Sequence, residues 1–264
     1  MIDLHCHIIP GVDDGAPDME TSLEMVRMAR EDGITTMVAT PHVNSTSTDP
    51  GHLTRILTRF ENLKNRLAKE GIDMPLYLGS EIYLDELILE NLEKYQDILS
   101  INNSRYVMVE FPMHFVYPGS TDHFTAIMDQ GYIPVISHPE RNLQIQRDPA
   151  LLYRFLTIGC LTQLNAGSLK GDFGTAAMHS AFLFLKKNWI QVIATDAHDP
   201  RERVPALGYL RDLPLGISRE KLDLLLHEIP HAIIHDRDLP FPGPLKDPRS
   251  RLLNLFSLQK KEKE

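Results

Sequence analysis

Short apolar runs alternate along this chain with longer segments in which apolar residues recur every three or four positions. The short runs are rich in Val and Ile, which is typical of buried parallel strands. The helical period of the segments between them predicts helices that cover the strands. This alternation indicates an α/β fold with a parallel sheet. The predicted strands are 2–6, 34–40, 75–80, 106–111, 133–137, 161–165 and 190–196.

The predicted helices begin and end at recognisable residues. Residues 18–32 begin at Asp18, a good N-cap, and stop before Gly33. Residues 51–70 stop in the same way before Gly71. Since the first strand is not followed by a Gly-rich phosphate loop, a closed or distorted barrel is favoured over a doubly wound nucleotide-binding sheet. Further helices are predicted at 120–130, 148–158, 174–187, 203–211 and 218–227.

Composition excludes several classes of protein. A hydrophobic fraction of 42% in 264 residues can fill a core, which excludes a disordered chain. The 36 Asp and Glu against 27 Lys and Arg argue against a nucleic-acid binder, which needs a basic face. The 2 cysteines cannot form a disulfide framework. No apolar run approaches the roughly 20 residues that span a bilayer, so no integral membrane segment is predicted.

The two ends of the chain differ in character. Met1 leads directly into Ile2-Asp3-Leu4, without the basic and apolar stretches of a secretory signal, so we predict a cytoplasmic protein with reduced thiols. Residues 1–236 are predicted to form a single barrel domain. Residues 237–264 are rich in proline and then basic, and we expect a loosely packed tail that frays. A contact with a membrane surface or a partner is the alternative for this tail.

Ligand-type side chains recur where the predicted strands end. His5 and His7 are two residues apart on the first strand and therefore point to one face, as do Asp196 and His198 after the last. In barrels, strand ends and the loops that follow them build the active site. The strand at 161–165 is the exception, since it offers no obvious ligand. The candidate metal ligands are His5, His7, Asp14, His42, Glu81, Glu110, His138, Asp196 and His198.

Nine ligands are too many for one catalytic zinc ion, which uses three or four. They fit two or three ions that share a bridging carboxylate, and without metal the crowded carboxylates would raise each other's pKa. Imidazole and carboxylate ligands suit manganese, iron or zinc, whereas magnesium prefers oxygen. We therefore expect two or three divalent ions, and the residues leave the choice among manganese, iron, zinc and magnesium open. Cys6 points away from His5 and His7 and is predicted to be a small buried side chain.

Six motifs together resemble one superfamily. In them the chain is similar to the PHP (polymerase and histidinol phosphatase) metallohydrolases, and within these to the metal-dependent protein-tyrosine phosphatases of bacterial capsule and exopolysaccharide operons, the CpsB/CapC type. The resemblance implies a distorted (β/α)7 barrel with its metal site at the C-terminal ends of the strands. The motifs, in chain order, are IDLHCHIIPGVDDG at 2–15, ATPH at 39–42, GSEI at 79–82, VEFP at 109–112, VISHPERN at 135–142 and ATDAH at 194–198.

The resemblance distributes the nine ligands over three ions. Asp13 is the neighbour that could exchange roles with Asp14. The three implied sets are His5, His7, Glu81 and Asp196; Glu81, Glu110 and His138; and Asp14, His42 and His198.

The resemblance also implies three catalytic residues, His42, Arg141 and Arg203. Arg141 belongs to the HPER motif, and Arg203 follows His198 by five residues, with Arg201 as the alternative. A planar, permanently charged guanidinium suits bidentate binding of phosphate. Glu140 is expected to orient Arg141 or a ligand histidine.

The implied reaction is metal-assisted hydrolysis of phosphotyrosine on a membrane-associated, autophosphorylating bacterial tyrosine kinase, which would regulate capsule or exopolysaccharide synthesis. The alternatives are a small-molecule phosphatase such as histidinol phosphatase, an exonuclease-like phosphodiesterase, and a non-catalytic metal-binding regulator of the kinase. A cysteine mechanism is excluded because it needs an arginine six residues after the cysteine. Val12 and Ala166 stand at those positions after Cys6 and Cys160. The sequence leaves the oligomeric state open.

Overall fold

A computed structural model describes residues 1–44 and 48–239. Its strands are short and pair only in parallel. In the described residues they are β1 (Ile2–Cys6), β2 (Thr36–Ala39), β3 (His42–Val43), β4 (Leu76–Leu78), β5 (Glu81–Tyr83), β6 (Tyr106–Glu110), β7 (Ile133–Ser137), β8 (Leu161–Asn165) and β9 (Val192–Ala194).

Helices connect these strands and cover the sheet. They are α1 (Met19–Glu31), α2 (Pro50–Lys69), α3 (Ile88–Leu99), α4 (Ser120–Asp129), α5 (Leu143–Arg147), α6 (Ala150–Ile158), α7 (Ala166–Lys170), α8 (Thr175–Lys186), α9 (Arg219–Asp223) and α10 (Ile229–Ile234). A π-helical turn, Leu224–Glu228, joins α9 to α10, and short 3₁₀ turns lie at Ile101–Asn103, Pro139–Arg141 and Gly208–Arg211. The predicted α/β fold with a parallel sheet is confirmed.

The strands form two sheets, in the orders β1-β2-β4 and β3-β5-β6-β7-β8-β9. The strands predicted at 34–40 and 75–80 are present as β2 and β4. After a break of two residues each is followed by a short strand of the second sheet, β3 or β5, which the sequence does not predict. Pro41 lies at the first break and lacks a backbone N–H. The carbonyl of Pro41 still accepts from Glu81 N at 3.0 Å. This bond keeps the segments before β3 and β5 side by side across the break.

Backbone hydrogen bonds also join β1 to the chain that follows β9. Asp196 N donates to His5 O at 2.8 Å, and His7 N donates to Ala197 O at 2.8 Å. The first and last strands are therefore neighbours. The residues at the C-terminal ends of β1 and β9 consequently lie side by side.

The core lies between the sheet and the helices. Trp189 is fully buried and packs against Tyr153 and Phe184, with ring centroids 5.4 and 5.7 Å apart. The predicted stripe of α2 is buried through residues such as Leu53 and Leu63. Burial of each large apolar side chain contributes about 1.5–3 kcal/mol, so this packing holds the strand ends in place.

Two helical segments illustrate where the structure differs from the sequence prediction. Within the predicted helix 203–211 only Gly208–Arg211 is helical, as a 3₁₀ turn. The preceding loop is held by Asp199, whose Oδ1 accepts from Arg201 N and Glu202 N at 2.7 Å each, and Pro205 interrupts any helix there. Helix α3 was not predicted, and it is kinked at Tyr95, where φ is −133°.

The start of the predicted tail packs on the domain. Tyr106 Oη donates to Arg237 O at 2.6 Å, and Arg105 pairs with Asp238 at 2.5 Å. Residues 240–264, with the proline-rich and basic stretches, lie outside the described residues, so the tail prediction is untested. In the described ranges we find no helix with the length and apolar character needed to cross a membrane.

Candidate metal centre

Two histidines of β1 form the floor of the centre. His5 and His7 are fully buried, and their Nε2 atoms are 3.2 Å apart. Their spacing of two residues on a strand directs both imidazoles to the same face, as predicted. The backbone bonds between β1 and the chain after β9 place Asp196 opposite them, with Oδ1 3.4 Å from each Nε2.

Glu81, the first residue of β5, contacts four histidines. Its Oε2 lies 3.2 Å from His5 Nε2, 3.5 Å from His7 Nε2 and 3.2 Å from His42 Nδ1. Its Oε1 lies 2.8 Å from His138 Nε2. Burial alone would raise the pKa of this carboxyl, but the neighbouring His5 and His138 imidazoles outweigh burial and hold the pKa well below its usual range. Glu81 is therefore an ionised carboxylate that contacts four histidines, and it is positioned to bridge ions.

Three groups of side chains converge, with the ligand atoms of each group within 4.8 Å of one another. The first group has the composition that the resemblance implies, and the second adds His7 to an implied set. In the third, His42 stands where His138 was expected, while His138 Nε2 lies 3.7 Å from Glu110 Oε1. All nine candidates thus lie together, and their role as ligands stays a prediction. The groups are His5, His7, Glu81 and Asp196; His7, Asp14, His42 and His198; and His42, Glu81 and Glu110.

The polar atoms in this cluster are incompletely satisfied by the protein. Oε2 of Glu81 and Nε2 of His198 are buried and make no hydrogen bond of normal geometry. Buried polar groups are almost always paired, so these two atoms call for a further partner. Imidazole and carboxylate donors arranged around shared residues suit divalent cations. The residues therefore fit divalent metal ions.

Glu110, at the end of β6, carries the clearest sign of crowded negative charge. Burial and the nearby charge of Glu81 raise the pKa of Glu110 to about 8. The opposite holds for Asp14, whose pKa is lowered mainly by the neighbouring His198 imidazole, with Nε2 3.5 Å from Asp14 Oδ1. A bound cation would relieve the repulsion at Glu110, because it favours the ionised form.

The structure separates the adjacent residues Asp13 and Asp14. Asp13 Oδ2 accepts from His7 Nδ1 at 2.8 Å and from His42 N at 3.1 Å, so Asp13 orients the ligand histidines. Asp14 Oδ1 lies 3.5 Å from Nε2 of both His42 and His198. This geometry favours Asp14 over Asp13 as the ligand.

The two arginines of the predicted site converge on Asp196. Arg141 Nη1 and Arg203 Nη2 donate to its Oδ2 at 2.7 and 2.5 Å. The Phe173 ring lies beneath both guanidinium groups, with its centroid 4.2 Å from Arg141 Cζ and 5.8 Å from Arg203 Cζ. Arg201, the alternative, is exposed. Asp196 itself adopts a positive φ of 54°, which is uncommon for a non-glycine residue and typical of functional sites.

Strand β8, for which no ligand was predicted, holds the ligands in place. Gln163 Oε1 accepts from His5 Nδ1 at 3.0 Å and from His138 N at 3.1 Å, so Nε2 of His5 faces the centre. Asn165 Nδ2 donates to Asp196 Oδ2 at 2.7 Å. The spacing of Gln163 and Asn165, two residues apart on a strand, is the signal that would have found them.

Glu140 is hydrogen-bonded to Asn165 of β8 and to Ser168 of α7. Its Oε1 accepts from Ser168 Oγ at 2.6 Å and from Asn165 N at 3.2 Å. Burial raises the pKa of Glu140 to about 7. The hydrogen bonds of Glu140 therefore hold Asn165 in place. The sequence instead predicts that Glu140 orients Arg141 or a ligand histidine.

Both cysteines are buried free thiols. Cys6 Sγ donates to Val38 O at 3.2 Å, on the side of β1 away from the ligand histidines. Burial raises the pKa of both thiols. Neither side chain is a reactive thiolate, because reactive cysteines are exposed and have a lowered pKa.

The fold and the centre define an α/β protein with a parallel sheet and a cluster of candidate metal ligands at its strand ends. The chain belongs to the CpsB/CapC family of capsular polysaccharide synthesis, whose model matches residues 1–234. This confirms the resemblance drawn from the six motifs.

Relatives of known name agree with this family. The tyrosine-protein phosphatase YwqE of Bacillus subtilis is 38% identical over 203 residues, which are 77% of this chain and 79% of YwqE. The tyrosine-protein phosphatase CpsB of Streptococcus pneumoniae is 28% identical over 243 residues, which are 90% of this chain and 99% of CpsB. A crystal structure from work on these two proteins, described as metal-dependent tyrosine phosphatases, superposes with a TM-score of 0.82 and 34% identity, covering 94% of this chain and 100% of the other.

Proposed function

We propose that this protein is a metal-dependent protein-tyrosine phosphatase that hydrolyses phosphotyrosine at the centre described above. The observation that carries the proposal is one carboxylate, Asp196, which faces two candidate ligand histidines with Oδ1 and two arginines with Oδ2. A phosphate that binds the arginines would therefore lie against the metal centre. The names of the relatives support tyrosine phosphate as the substrate.

Divalent ions at such a centre supply Lewis acidity to the phosphate and to water. The residues that would hold them are His5, His7, Asp14, His42, Glu81, Glu110, His138, Asp196 and His198. We expect two or three ions, with manganese first and iron, zinc or magnesium as alternatives.

The chain's own residues bind and orient the phosphate. Arg141 and Arg203 each use one N–H on Asp196, which leaves other N–H groups for phosphoryl oxygens. Nε of Arg203 is buried and has no hydrogen-bond partner, so a donor is available. Two guanidinium groups neutralise charge that spreads over the phosphoryl oxygens in a loose transition state. A tyrosine leaving group has a pKa of about 10 and needs little acid assistance.

The substrate that we infer is a phosphotyrosine on a membrane-associated, autophosphorylating bacterial tyrosine kinase in the cytoplasm. Hydrolysis there would regulate the synthesis of capsule or exopolysaccharide. The family to which the chain belongs supports this setting, since its description is capsular polysaccharide synthesis.

Metal dependence is tested by removing and restoring the metal. We expect a chelator to abolish hydrolysis of a phosphotyrosine peptide and added manganese to restore it. Alkylation with iodoacetamide should leave the rate unchanged, because Cys6 and Cys160 are buried. Full activity in protein shown to be metal-free by elemental analysis would contradict the proposal.

The substrate class is tested by comparing phosphotyrosine peptide with histidinol phosphate under the same metal loading. We expect a higher kcat/KM for the peptide. A preference of more than about a hundredfold for histidinol phosphate, worth about 2.7 kcal/mol, would favour the small-molecule phosphatase instead. Inactivity of the metal-loaded wild type, equal to that of a His42→Ala variant, would favour a non-catalytic regulator.

A further inference from the structure

A groove lies beside the metal centre, between the loop that follows β5 and the loop that follows β6. Its volume is about 280 Å³. None of its lining residues is a candidate metal ligand or one of the phosphate-binding arginines. The lining residues are Leu84, Asp85, Glu86, Tyr117, Pro118 and His123.

The groove is continuous with the centre through Glu110. Leu84 N donates to Glu110 O at 3.0 Å, and Tyr83 is paired with Glu110 in the register of β5 and β6. Burial and the neighbouring Tyr117, which lines the groove, raise the pKa of Tyr83 to about 12. The wall of the groove is therefore bonded directly to the strand end that carries the candidate ligand Glu110.

Two exposed apolar side chains lie at the rim of the groove. Among the described residues the exposed large apolar side chains are Leu87, Phe115 and Ile158, which are 45%, 44% and 36% exposed. Leu87 follows the acidic wall directly, and the Phe115 ring packs edge-on against Tyr117 at 4.9 Å. Two of the three exposed apolar side chains thus border one groove. Clustered exposed apolar groups mark a surface that binds a partner.

The groove also has a charge that selects its occupant. Asp85 and Glu86 place two carboxylates on one wall, where Asp85 Oδ1 also accepts from Leu87 N at 2.9 Å. The phosphate-binding arginines are elsewhere, after β7 and β9, whereas the groove lies over β5 and β6. The surface that binds phosphate and the surface that favours a positive charge are therefore on different sides of the centre.

We propose that this groove binds the substrate polypeptide next to its phosphotyrosine. An apolar side chain adjacent to the phosphotyrosine would pack on Leu87 and Phe115, and a lysine or arginine would pair with the exposed Glu86. The proposal rests on the proposed function. It adds that the enzyme selects phosphotyrosine within an apolar and basic segment.

The test compares three substrates under equal metal loading. The first is a phosphotyrosine peptide with Leu and Lys beside the phosphotyrosine. The second is a peptide of the same length with Ser and Glu at those positions, and the third is para-nitrophenyl phosphate, which has no flanking residues. We expect the wild type to prefer the first peptide to the second by about tenfold in kcat/KM, as apolar burial and charge pairing together predict.

The variants assign this preference to the groove. Changing Leu87→Ser and Phe115→Ser together should lower kcat/KM for the first peptide by about tenfold and leave hydrolysis of para-nitrophenyl phosphate within about twofold. Glu86→Lys should reverse the preference between the peptides, with an effect that shrinks at high salt. Ile158→Ser, at the third exposed apolar position, is the matched control. It should leave kcat/KM unchanged for both the peptide and para-nitrophenyl phosphate.

The outcomes separate this proposal from the proposed function. Two results with correctly folded groove variants would overturn the groove as a peptide site. One is unchanged activity on all three substrates, and the other is an equal loss of activity on the peptides and on para-nitrophenyl phosphate. A wild type that hydrolyses none of the three substrates would instead overturn the phosphatase activity. Melting temperatures of the variants establish that they are folded.

Discussion

Arg141 and Arg203 donate to the same oxygen atom, Oδ2 of Asp196, although they follow different strands. The other oxygen, Oδ1, lies 3.4 Å from Nε2 of both His5 and His7. One carboxylate thus joins the candidate phosphate-binding groups to the candidate metal ligands. Its left-handed backbone conformation, with φ of 54°, is maintained because both of its oxygens are engaged.

Replacing either arginine by lysine should impair phosphate binding. Arg141→Lys and Arg203→Lys each keep the charge but lose the planar fork, so kcat/KM for a phosphotyrosine peptide should fall roughly 10- to 100-fold. Because both side chains share Asp196, the double variant should lose less than the product of the two effects. Steady-state kinetics measure this, with metal content followed by elemental analysis. Arg201→Lys, at an exposed arginine two residues from Arg203, should retain activity, and an equal loss there would contradict the assignment.

Gln163 should act on metal affinity through His5. Gln163→Leu removes the acceptor that keeps the proton of His5 on Nδ1, so the affinity for Mn²⁺ should fall about 10- to 100-fold. Gln163→Glu restores an acceptor and should recover most of the affinity. Calorimetric titration of metal-free protein with Mn²⁺ gives the dissociation constants.

Gln191 provides the matched control for Gln163. It is equally buried, directly before β9, and its Oε1 accepts from Thr162 N at 2.8 Å, away from the candidate metal ligands. Gln191→Leu should lower the unfolding free energy without changing metal affinity. Equal effects of both leucine variants on metal binding would show that Gln163 acts only through stability.

Gly15→Ala should disrupt the loop that carries Asp13 and Asp14. A Cβ at this position would lie 2.1 Å from His7 O and 2.4 Å from His7 Cβ, so the loop must move away from β1. We expect a loss of about 1–3 kcal/mol in unfolding free energy and much weaker metal binding. Urea denaturation and calorimetric titration measure the two effects separately.

Gly71→Ala separates backbone strain from this clash. Gly71 has a φ of 67°, and a Cβ there would meet nothing within 4 Å. Its replacement should cost about 1–2 kcal/mol of stability from the positive φ and leave metal affinity unchanged. Normal metal binding by the Gly15→Ala variant would refute the role of the loop.

Metal affinity should rise with pH. Burial and the charge of Glu81 raise the pKa of Glu110 to about 8, so in metal-free protein this carboxyl holds a proton at neutral pH. A metal ion must displace that proton. The contribution of Glu110 should therefore tighten the dissociation constant about tenfold per pH unit below pH 8 and level off above it.

A comparison with Glu110→Gln isolates this proton from those released by other ligands. Titrations with Mn²⁺ between pH 6.5 and 8.5 should give a steeper slope for the wild type than for the variant. The difference between the two slopes should approach one proton released per metal centre near pH 6.5. Parallel slopes for both proteins would argue that Glu110 is ionised before the metal binds.

The local features of this fold were predictable from the sequence. Runs of β-branched residues located most strands, and the spacing of His5 and His7 placed both imidazoles on one face. The short strand β3 after Pro41 was not predicted, because it pairs with β5, whose position depends on the whole sheet. The predicted helix 203–211 is largely a loop because hydrogen bonds to Asp199 hold it beside the centre.

The site shows the same division. Motif order along the chain identified the nine candidate ligands and the two arginines. Gln163 and Asn165 were missed, since amide side chains on a strand carry no chemical signature until their partners are known. His5 is 158 residues from Gln163 in sequence, and only the adjacent ends of β1, β8 and β9 bring them within hydrogen-bonding distance.

The sequence by itself determined the alternation of strands and helices, the family, and the kinds of donor available to a metal. Those properties depend on residue type and short spacing. Tertiary structure decided that Asp14 and not Asp13 faces His42 and His198, and that both arginines meet on Asp196. It also formed the groove beside Glu110. Each of these depends on distances between side chains far apart in the chain, and only packing of the whole sheet sets those distances.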